Sequence, residues 1–339
     1  TGSVVIQRDP DTGWVNLGCY RLMVHDAKRL GLMISAGKQG RLIMEKYWAR
    51  GQACPIAVSL GHHPLLVLMA GLQAPVGVSE YDLAGSIAGE PVPVVTGEAT
   101  GLPIPADAEL VVEGFVDPDE RMDEGPFGEW TGYYAGGRGP QPVVTVSRVY
   151  WRDDPIVLGV VPRKPPSDDT YMSTFQTSAA IWNEIEAAGI PGVQAVYAHE
   201  AAASRMFVVV AIRQQYGGHA KQAGMVAAHC YAGGYLNKFV VVVDDDIDPT
   251  NLGEVIWALS TRVEATQDLD VISRSWSSPL DPMAFPREEP MFTTKVVIDA
   301  CRPWDRRRTF PHVAAATPEA RAKVLADWAS QLPFLDTQR

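Results

Sequence analysis

The sequence predicts a mixed α+β fold, in which a β-rich, barrel-like first half precedes a compact α/β second half. Short apolar runs broken by glycine and proline dominate residues 4–150, whereas helix and strand patterns alternate beyond residue 190. A proline-rich stretch, Pro162–Asp169, separates the two patterns and is typical of a linker. The 339 residues, 46% hydrophobic and 20% charged, indicate a folded globular protein of two domains.

The first half contains strand-length runs rich in β-branched residues. These runs predict strands at Val4–Gln7, Ile56–Leu60, Leu110–Val116 and Val143–Tyr150. Asp9–Gly13 has the composition of a hairpin turn and directly follows the first strand. Helical spacing of apolar residues predicts two helices within this half, at Arg41–Arg50 and Pro64–Ala70.

The second half begins with a predicted helix, Thr170–Ala188, whose start Ser167 or Asp168 can cap. Strands are then predicted at Val193–Ala198, Met206–Ile212, Phe239–Val243 and Lys295–Ile298. Further helices are predicted at Ala220–Tyr231, Asn251–Ser260 and Pro318–Leu332, and residues 261–294 are expected to be irregular. This alternation of strands and helices is typical of a compact α/β domain.

Composition excludes several classes of function. The 29 basic and 40 acidic residues give a net charge of −11, which argues against a nucleic-acid partner. The dense basic run Arg306–Arg308 favours a solvated turn or an oligomer contact. Four cysteines without CxxC spacing argue against a zinc site or a disulfide framework and favour a cytoplasmic protein. No apolar run is long enough to span a membrane, and no signal peptide opens the chain.

The segment Asp123–Trp130 is the most suggestive of chemistry. Its two carboxylates, Glu124 and Glu129, flank two glycines and a proline, so we expect a tight turn that points both into one cleft. Repulsion between them would raise the pKa of one carboxyl group and suit that group to a general acid. The spacing alone leaves open the alternative of a solvated surface turn.

A second candidate segment is Asn16–Asp26. In one continuous strand Asn16 and Arg21 have opposite parity, so they face the same side only if a bulge intervenes. Arg21 can pair with a carboxylate of a substrate or of the protein itself. His25 beside Asp26 is either a catalytic pair or a hydrogen-bonded structural histidine.

A third candidate segment is Gly77–Gly85. Ser79 has the position of a helix N-cap, which makes Glu80 a carboxylate of the first turn. Glu80 then either complements the helix dipole or binds a divalent cation. No GxxxxGK[ST], GxGxxG, GxSxG or HExxH motif occurs, which disfavours the common nucleotide-binding and hydrolase classes.

Four ordered segments resemble the UbiD-like decarboxylases, which are reversible (de)carboxylases that use prenylated FMN. They are Asn16–Asp26, Val78–Gly85, the EGPFGE block at Glu124–Glu129, and Thr294–Ala300. The resemblance covers nearly the whole chain, and the EGPFGE block is its most specific part.

The resemblance implies a domain organisation. Residues 1–165 would form a flavin-reductase-like split β-barrel that binds prenylated FMN, and residues 166–188 a linker helix. Residues 189–339 would form a C-terminal α/β oligomerisation domain with a terminal helix. Members of the family usually carry a further α/β domain before the barrel, and we expect that N-terminal domain to be missing here.

The resemblance also assigns roles to residues of this chain. Arg21, Glu124 and Glu129 match the Glu-Arg-Glu catalytic network, with Glu129 as the proton donor. Asn16 and Glu80 match ligands of a divalent metal, Mn²⁺ or Mg²⁺, that bridges to the flavin phosphate.

Three further positions of the cofactor site follow from the same match. Lys295 matches a lysine that contacts the flavin phosphate, and Lys38 is expected to hold the phosphate or reach toward the substrate. Gln39 takes the place of the usual histidine as third metal ligand, and its carbonyl oxygen is a weaker ligand for transition metals. Cys19, Tyr20 and Arg21 are expected beside the cofactor, together with a monovalent cation, K⁺ or Na⁺.

The function implied is non-oxidative decarboxylation of an aromatic, heteroaromatic or α,β-unsaturated carboxylic acid. The protein would draw its cofactor from a flavin prenyltransferase and form a homodimer or larger homo-oligomer, without nucleic-acid or membrane partners. The alternative is a cofactor-poor, noncatalytic or assembly subunit of a (de)carboxylase complex, which the departure at Gln39 would permit.

Overall fold

The computed structural model describes residues 2–284, 291–328 and 331. The chain divides into two compact units, residues 1–301 and 302–339. The first unit contains the β-rich half and the second half up to residue 301, and all four cysteines are free, as predicted. Among the described residues, no helix combines the length and the apolar character needed to cross a bilayer.

Strands dominate the chain up to residue 165. They are β1 (Ser3–Arg8), β2 (Val15–Gly18), β3 (Arg21–Asp26), β4 (Arg29–Met33), β5 (Cys54–Leu60), β6 (Val94–Thr96), β7 (Pro103–Pro105), β8 (Leu110–Glu124) and β9 (Gly139–Trp151). Three helices accompany them: α1 (Gln39–Trp48), α2 (Pro64–Gly71) and α3 (Glu80–Ala88). The four strands and two helices predicted here are confirmed.

Seven of these strands form one antiparallel sheet in the order β2-β1-β5-β8-β9-β4-β3. The predicted hairpin turn is confirmed, since β1 pairs with β2 and the Asp9 amide donates to the Trp14 carbonyl at 2.8 Å. Val4 and Ile6 pack in one apolar cluster and Val5 in another, so β1 is covered on both faces. This explains its continuous apolar run. The closure of the sheet into a split barrel stays a prediction.

The sequence patterns did not indicate β2, β3 and β4 as separate strands. β2 has only four residues, and every residue of β3 is partly or fully exposed. Strand β8 also continues past the predicted end at Val116, because residues 121–124 pair with residues 139–142 of β9. This extension brings Glu124 to the end of a strand.

The elements after residue 165 form a second, mixed sheet. They are α4 (Asp168–Ala187), β10 (Val193–Ala198), β11 (Phe207–Ile212), α5 (His219–His229), α6 (Tyr231–Gly234), β12 (Phe239–Asp244), α7 (Leu252–Arg262), β13 (Leu269–Trp276) and β14 (Phe292–Asp299). The sheet order is β10-β11-β12-β14-β13, with parallel pairs in the centre and antiparallel strands at both edges. The predicted α/β pattern is confirmed.

The expectation of an irregular segment at residues 261–294 is wrong in part, because β13 pairs with β14 within it. In the second compact unit, helix α8 (Pro318–Trp328) agrees with the predicted start of the terminal helix. The rest of that prediction, at residues 329, 330 and 332, lies outside the described residues. The assignment of residues 166–188 as a linker and of 189–339 as an oligomerisation domain stays a prediction.

A side chain of α4, Glu184, caps the N-terminus of helix α6. The Glu184 carboxylate accepts hydrogen bonds from the backbone amides of Tyr231 at 2.7 Å and Ala232 at 2.9 Å. A carboxylate at a helix N-terminus satisfies free amides and complements the helix dipole. Glu184 therefore fixes α6 against α4.

Replacing Glu184 by alanine should lower the free energy of unfolding by about 1–3 kcal/mol, because two amides lose a charged acceptor. The matched control is Glu186→Ala on the same helix. Glu186 is exposed and accepts from Trp182, so its loss should stay within about 0.5 kcal/mol. Urea unfolding measures both, and equal losses would contradict the role of Glu184.

Candidate active site

Arg21 joins two buried carboxylates at the edge of the antiparallel sheet. Its Nη2 and Nε atoms donate to Glu124 Oε1 at 2.6 and 3.1 Å, and its Nη1 forms a short ion pair with Glu129 Oε1. The ring of Phe127 lies 4.8 Å from the Arg21 guanidinium carbon. The three residues that resemble the catalytic network are therefore in contact.

The local backbone explains how these side chains meet. The extended chain breaks at Cys19 and Tyr20, so Asn16 lies on β2 and Arg21 begins β3. The two residues therefore do not share one strand, and the connection between β2 and β3 takes the place of the bulge that a single strand would need. The expectation of one tight turn is wrong in part: Glu124 ends β8, and Glu129 lies in the loop that leads to β9.

Glu129 has the electrostatic surroundings of a proton donor. Burial raises its pKa, and the neighbouring Glu124 carboxylate acts in the same direction, whereas Arg21 opposes the shift. Only 6% of the residue is exposed. A carboxyl group with a raised pKa holds its proton at a higher pH and can deliver it to a bound molecule.

The predicted metal ligands also lie together. The amide nitrogen of Asn16 donates to Gln39 Oε1 at 2.9 Å and to Glu80 Oε1 at 3.2 Å. The second Glu80 oxygen accepts from the Leu17 amide at 2.7 Å. Burial raises the pKa of Glu80 to about 7, and these hydrogen bonds oppose the shift. One carboxylate and two amide groups thus meet in a buried position.

This cluster fits a hard cation. Asn16 Oδ1 is buried without a hydrogen-bond partner in the described part of the chain. Rotating this amide by half a turn, an orientation that hydrogen bonding alone decides, would place three oxygens around one point. Carboxylate and amide oxygens are ligands for Mg²⁺, Mn²⁺ and similar ions. No group of three or more His, Cys, Asp or Glu side chains that could hold a metal occurs among the described residues.

Ser79 does occupy the N-cap position of α3, as predicted, but its side chain makes no capping hydrogen bond. Its hydroxyl is buried and unpartnered within the described residues. The first-turn position of Glu80 is confirmed, and its carboxylate is committed to Asn16 and to the Leu17 amide.

A cavity of about 420 Å³ lies beside both groups. Its lining includes eight predicted site residues: Asn16, Cys19, Tyr20, Arg21, Lys38, Gln39, Glu80 and Glu129. The Cys19 amide donates to the Ala70 carbonyl at 3.2 Å, and its thiol is exposed where the residue lines the cavity. The Tyr20 hydroxyl accepts from the Gly40 amide at 3.2 Å.

Two partly buried cations, Lys38 and Arg205, line this cavity, and the sequence did not indicate Arg205. Lys38 Nζ donates to Gln73 Oε1 at 3.0 Å and lies 3.9 Å from the centre of the Tyr235 ring. Arg205 donates to the same oxygen at 3.2 Å. Burial, with the nearby Arg205 charge, lowers the pKa of Lys38 well below its usual value. Among the described residues, no carboxylate accepts from either cation.

Lys295 is not among the residues that line the cavity. Its Nζ donates to the carbonyls of Ala228 at 2.5 Å and Gly234 at 2.6 Å, and burial lowers its pKa to about 8. These bonds tie the end of α5 to α6. A contact between Lys295 and a flavin phosphate stays a prediction that the observed contacts do not support.

The pairing of His25 with Asp26 as a catalytic pair is wrong. The Asp26 carboxylate accepts from the Lys28 amide at 2.9 Å and from Arg29 Nε at 2.8 Å, at the protein surface. The His25 Nε2 atom is buried instead. The Asp26 carboxylate therefore faces solvent, whereas the His25 Nε2 atom faces the interior.

Comparison with known proteins shows which family this chain resembles along its length. Residues 1–165 match the 3-octaprenyl-4-hydroxybenzoate carboxy-lyase Rift-related domain, and residues 170–300 match the C-terminal domain of the same carboxy-lyase. A phenolic acid decarboxylase from Streptomyces sp. (strain D7) is 35% identical over 350 residues, which cover 99% of this chain and 70% of that protein.

Solved structures are similar over the same range. Vanillic acid decarboxylase from Sedimentibacter hydroxybenzoicus, in its closed form, superposes with a TM-score of 0.86 at 30% identity, over 100% of this chain and 70% of that one. The UbiD-class enzyme HmfF from Pelotomaculum thermopropionicum, in complex with FMN, gives 0.81 at 30% identity, over 96% and 70%. An evolved dimeric form of HmfF in complex with prFMN gives 0.79 at 28% identity, over 96% and 69%.

Both domain matches, together with the identity to a curated decarboxylase along almost the whole chain, show that this chain belongs to the UbiD family of carboxy-lyases.

Proposed function

We propose that this chain catalyses the reversible, non-oxidative decarboxylation of an aromatic, heteroaromatic or α,β-unsaturated carboxylic acid with prenylated FMN, and that Glu129 donates the proton. The contact of Arg21 with both Glu124 and Glu129 beside the cavity is the observation that carries this proposal. The complexes of HmfF with FMN and prFMN support the choice of cofactor.

The residues of the chain divide the work of such a reaction. The bound flavin supplies the electron-accepting chemistry that lets a carbon–carboxylate bond break. Glu129 gives its proton to the carbon that loses CO₂, and Arg21 holds Glu129 in position. Phe127 and Trp130, which also line the cavity, exclude water from this step.

Two groups in the cavity suit the phosphate end of the flavin: the proposed metal ligands and the two cationic side chains. Asn16, Gln39 and Glu80 would hold Mg²⁺ or Mn²⁺, and Gln39 favours such hard ions over softer metals because it offers oxygen. Lys38 and Arg205 share one neutral acceptor, so an anion in the cavity would balance their charge. A monovalent cation, K⁺ or Na⁺, remains part of the proposal through family resemblance alone.

The relatives narrow the substrates worth testing to phenolic acids. A phenolic acid decarboxylase and a vanillic acid decarboxylase are among the most similar proteins. We therefore choose vanillate and 4-hydroxybenzoate for the first assays, with cinnamate for the α,β-unsaturated class. The alternative, a noncatalytic subunit, predicts no CO₂ release from protein that carries the cofactor.

Glu129→Gln should reduce turnover by about 10²–10⁴-fold, because glutamine keeps the size of the side chain but cannot donate the proton. Protein co-expressed with a flavin prenyltransferase is assayed for CO₂ release, and bound flavin is measured by absorbance. Flavin content should be unchanged. Asp123→Asn, an exposed neighbour, is the control and should match the parent. A Glu129→Gln protein as active as the parent at equal flavin content would remove the proton-donor role.

Glu80→Gln should weaken Mn²⁺ binding by at least about tenfold, because it removes the only carboxylate of the three proposed ligands. Electron paramagnetic resonance of free Mn²⁺ measures the affinity without any assay of activity. Asp82→Asn, two positions along the same helix and exposed, is the matched control. Equal binding by the parent and both variants would place the metal elsewhere.

We further propose a homo-oligomer, to which α8 contributes. Val324, Leu325 and Trp328 of this helix are exposed, and apolar side chains grouped on one helix are typical of an interface. Light scattering should give a mass at least twice the chain mass of 36.8 kDa. Val324→Asp should shift the distribution toward the monomer. A monomeric parent at micromolar concentration would contradict this assembly.

A further inference from the structure

Two buried polar atoms face a common point beside Gly31. His25 Nε2 and Glu124 Oε2 are both buried without a hydrogen-bond partner among the described residues. A Cβ atom at Gly31 would lie 2.7 Å from Glu124 Oε2 and 3.0 Å from His25 Nε2. The two atoms are therefore at most 5.7 Å apart, the sum of these two distances to one point.

The strands explain this approach. The register of β3 against β4 shifts between Val24 and Asp26, so His25 lies at a β-bulge, a feature that re-aims a side chain. Gly31 on β4 has no side chain to separate His25 from Glu124. A separation of this size is bridged by one water molecule or closed by a small side-chain rotation.

Glu124 thus has two different sides. Its Oε1 accepts from Arg21, which also holds Glu129, and its Oε2 faces His25. The histidine is only partly buried, so it connects this interior oxygen to the protein surface. The adjacent residue Asp26 forms an exposed ion pair with Arg29.

We propose that His25 returns protons from solvent to the Glu124–Glu129 pair after each turnover. This inference rests on the proposed function, in which R–COO⁻ and one proton become R–H and CO₂. The O–H bond of Glu129 breaks as the new C–H bond forms, which leaves the pair of carboxylates one proton short. A solvent proton then adds to His25 Nδ1 as the Nε2 proton passes toward Glu124 Oε2, so the charge of the ring is the same before and after the step. The proton next passes from Glu124 to Glu129, which contacts the same Arg21 guanidinium.

The contact itself is tested without any assay of activity. In the protein loaded with flavin and labelled with ¹⁵N-histidine, Glu124→Gln should shift the ring nitrogen resonances of His25 at a fixed pH. Asp123→Asn changes the same charge one residue away, on an exposed side chain, and should leave them unmoved. Unchanged His25 resonances in Glu124→Gln would overturn the inference.

The proton-return role is tested by His25→Gln in the same flavin-loaded protein. Glutamine keeps a hydrogen-bonding group but cannot take up and release a proton as imidazole does. We therefore expect turnover of the best substrate acid to fall by about 10–10²-fold. KM should change little, and added imidazole should restore much of the rate. His312→Gln, at an exposed position in the second unit, is the matched control and should behave as the parent.

The outcomes separate the two proposals. An active parent with an equally active His25→Gln would overturn proton return by His25, and so would a slow variant that imidazole does not rescue. A flavin-loaded parent that decarboxylates no acid would remove the proposed function and the proton-return role together. The nitrogen resonances would still decide whether His25 and Glu124 interact.

Discussion

Two buried carboxylates that share one guanidinium group are the constraint on which the proposed active site depends. Glu124 and Glu129 are both buried, and Arg21 contacts each of them. One positive charge cannot balance two negative charges in a poorly solvated place, so one carboxyl group tends to keep a proton. The raised pKa of Glu129 follows from this constraint and from its burial. The arrangement depends on β3, on β8 and on the loop after β8, which bring two distant parts of the sequence together.

The same cavity has two further charged groups. Gln39 and Glu80 present oxygen atoms to Asn16, whose amide would add a third oxygen if rotated by half a turn. Lys38 and Arg205 are cations, and Gln73 is the one side chain among those described that accepts a hydrogen bond from both. A cation at the first group and an anion at the second would satisfy both, and a metal-bound flavin phosphate supplies that combination. Gln39 in place of histidine would favour a hard cation such as Mg²⁺ or Mn²⁺, and it still contacts Asn16.

The sequence predicted most elements because their apolar runs are long, but it did not indicate β2, β3 and β4. These strands have only four to six residues each, and their pairing in hairpins and with β9 stabilises them more than local propensity does. The family motifs predicted that Arg21, Glu124 and Glu129 form one network. The spacing of Glu124 and Glu129 alone was equally compatible with a solvated surface turn. Arg205 was missed because its approach to Lys38 depends on packing between the two sheets, which no local pattern encodes. For Lys295 the family motif predicted a contact with the flavin phosphate, whereas its Nζ atom donates to two backbone carbonyls.

The central claim is that Arg21, Glu124 and Glu129 exchange a carboxylate for a solvent-derived proton. The most direct measurement is mass spectrometry of the product formed in D₂O from vanillate by protein co-expressed with a flavin prenyltransferase, with 4-hydroxybenzoate and cinnamate assayed in parallel. The account predicts one deuterium at the carbon that carried the carboxylate for each CO₂ released. Fully flavin-loaded protein that releases no CO₂ and incorporates no deuterium with any of these acids would contradict it.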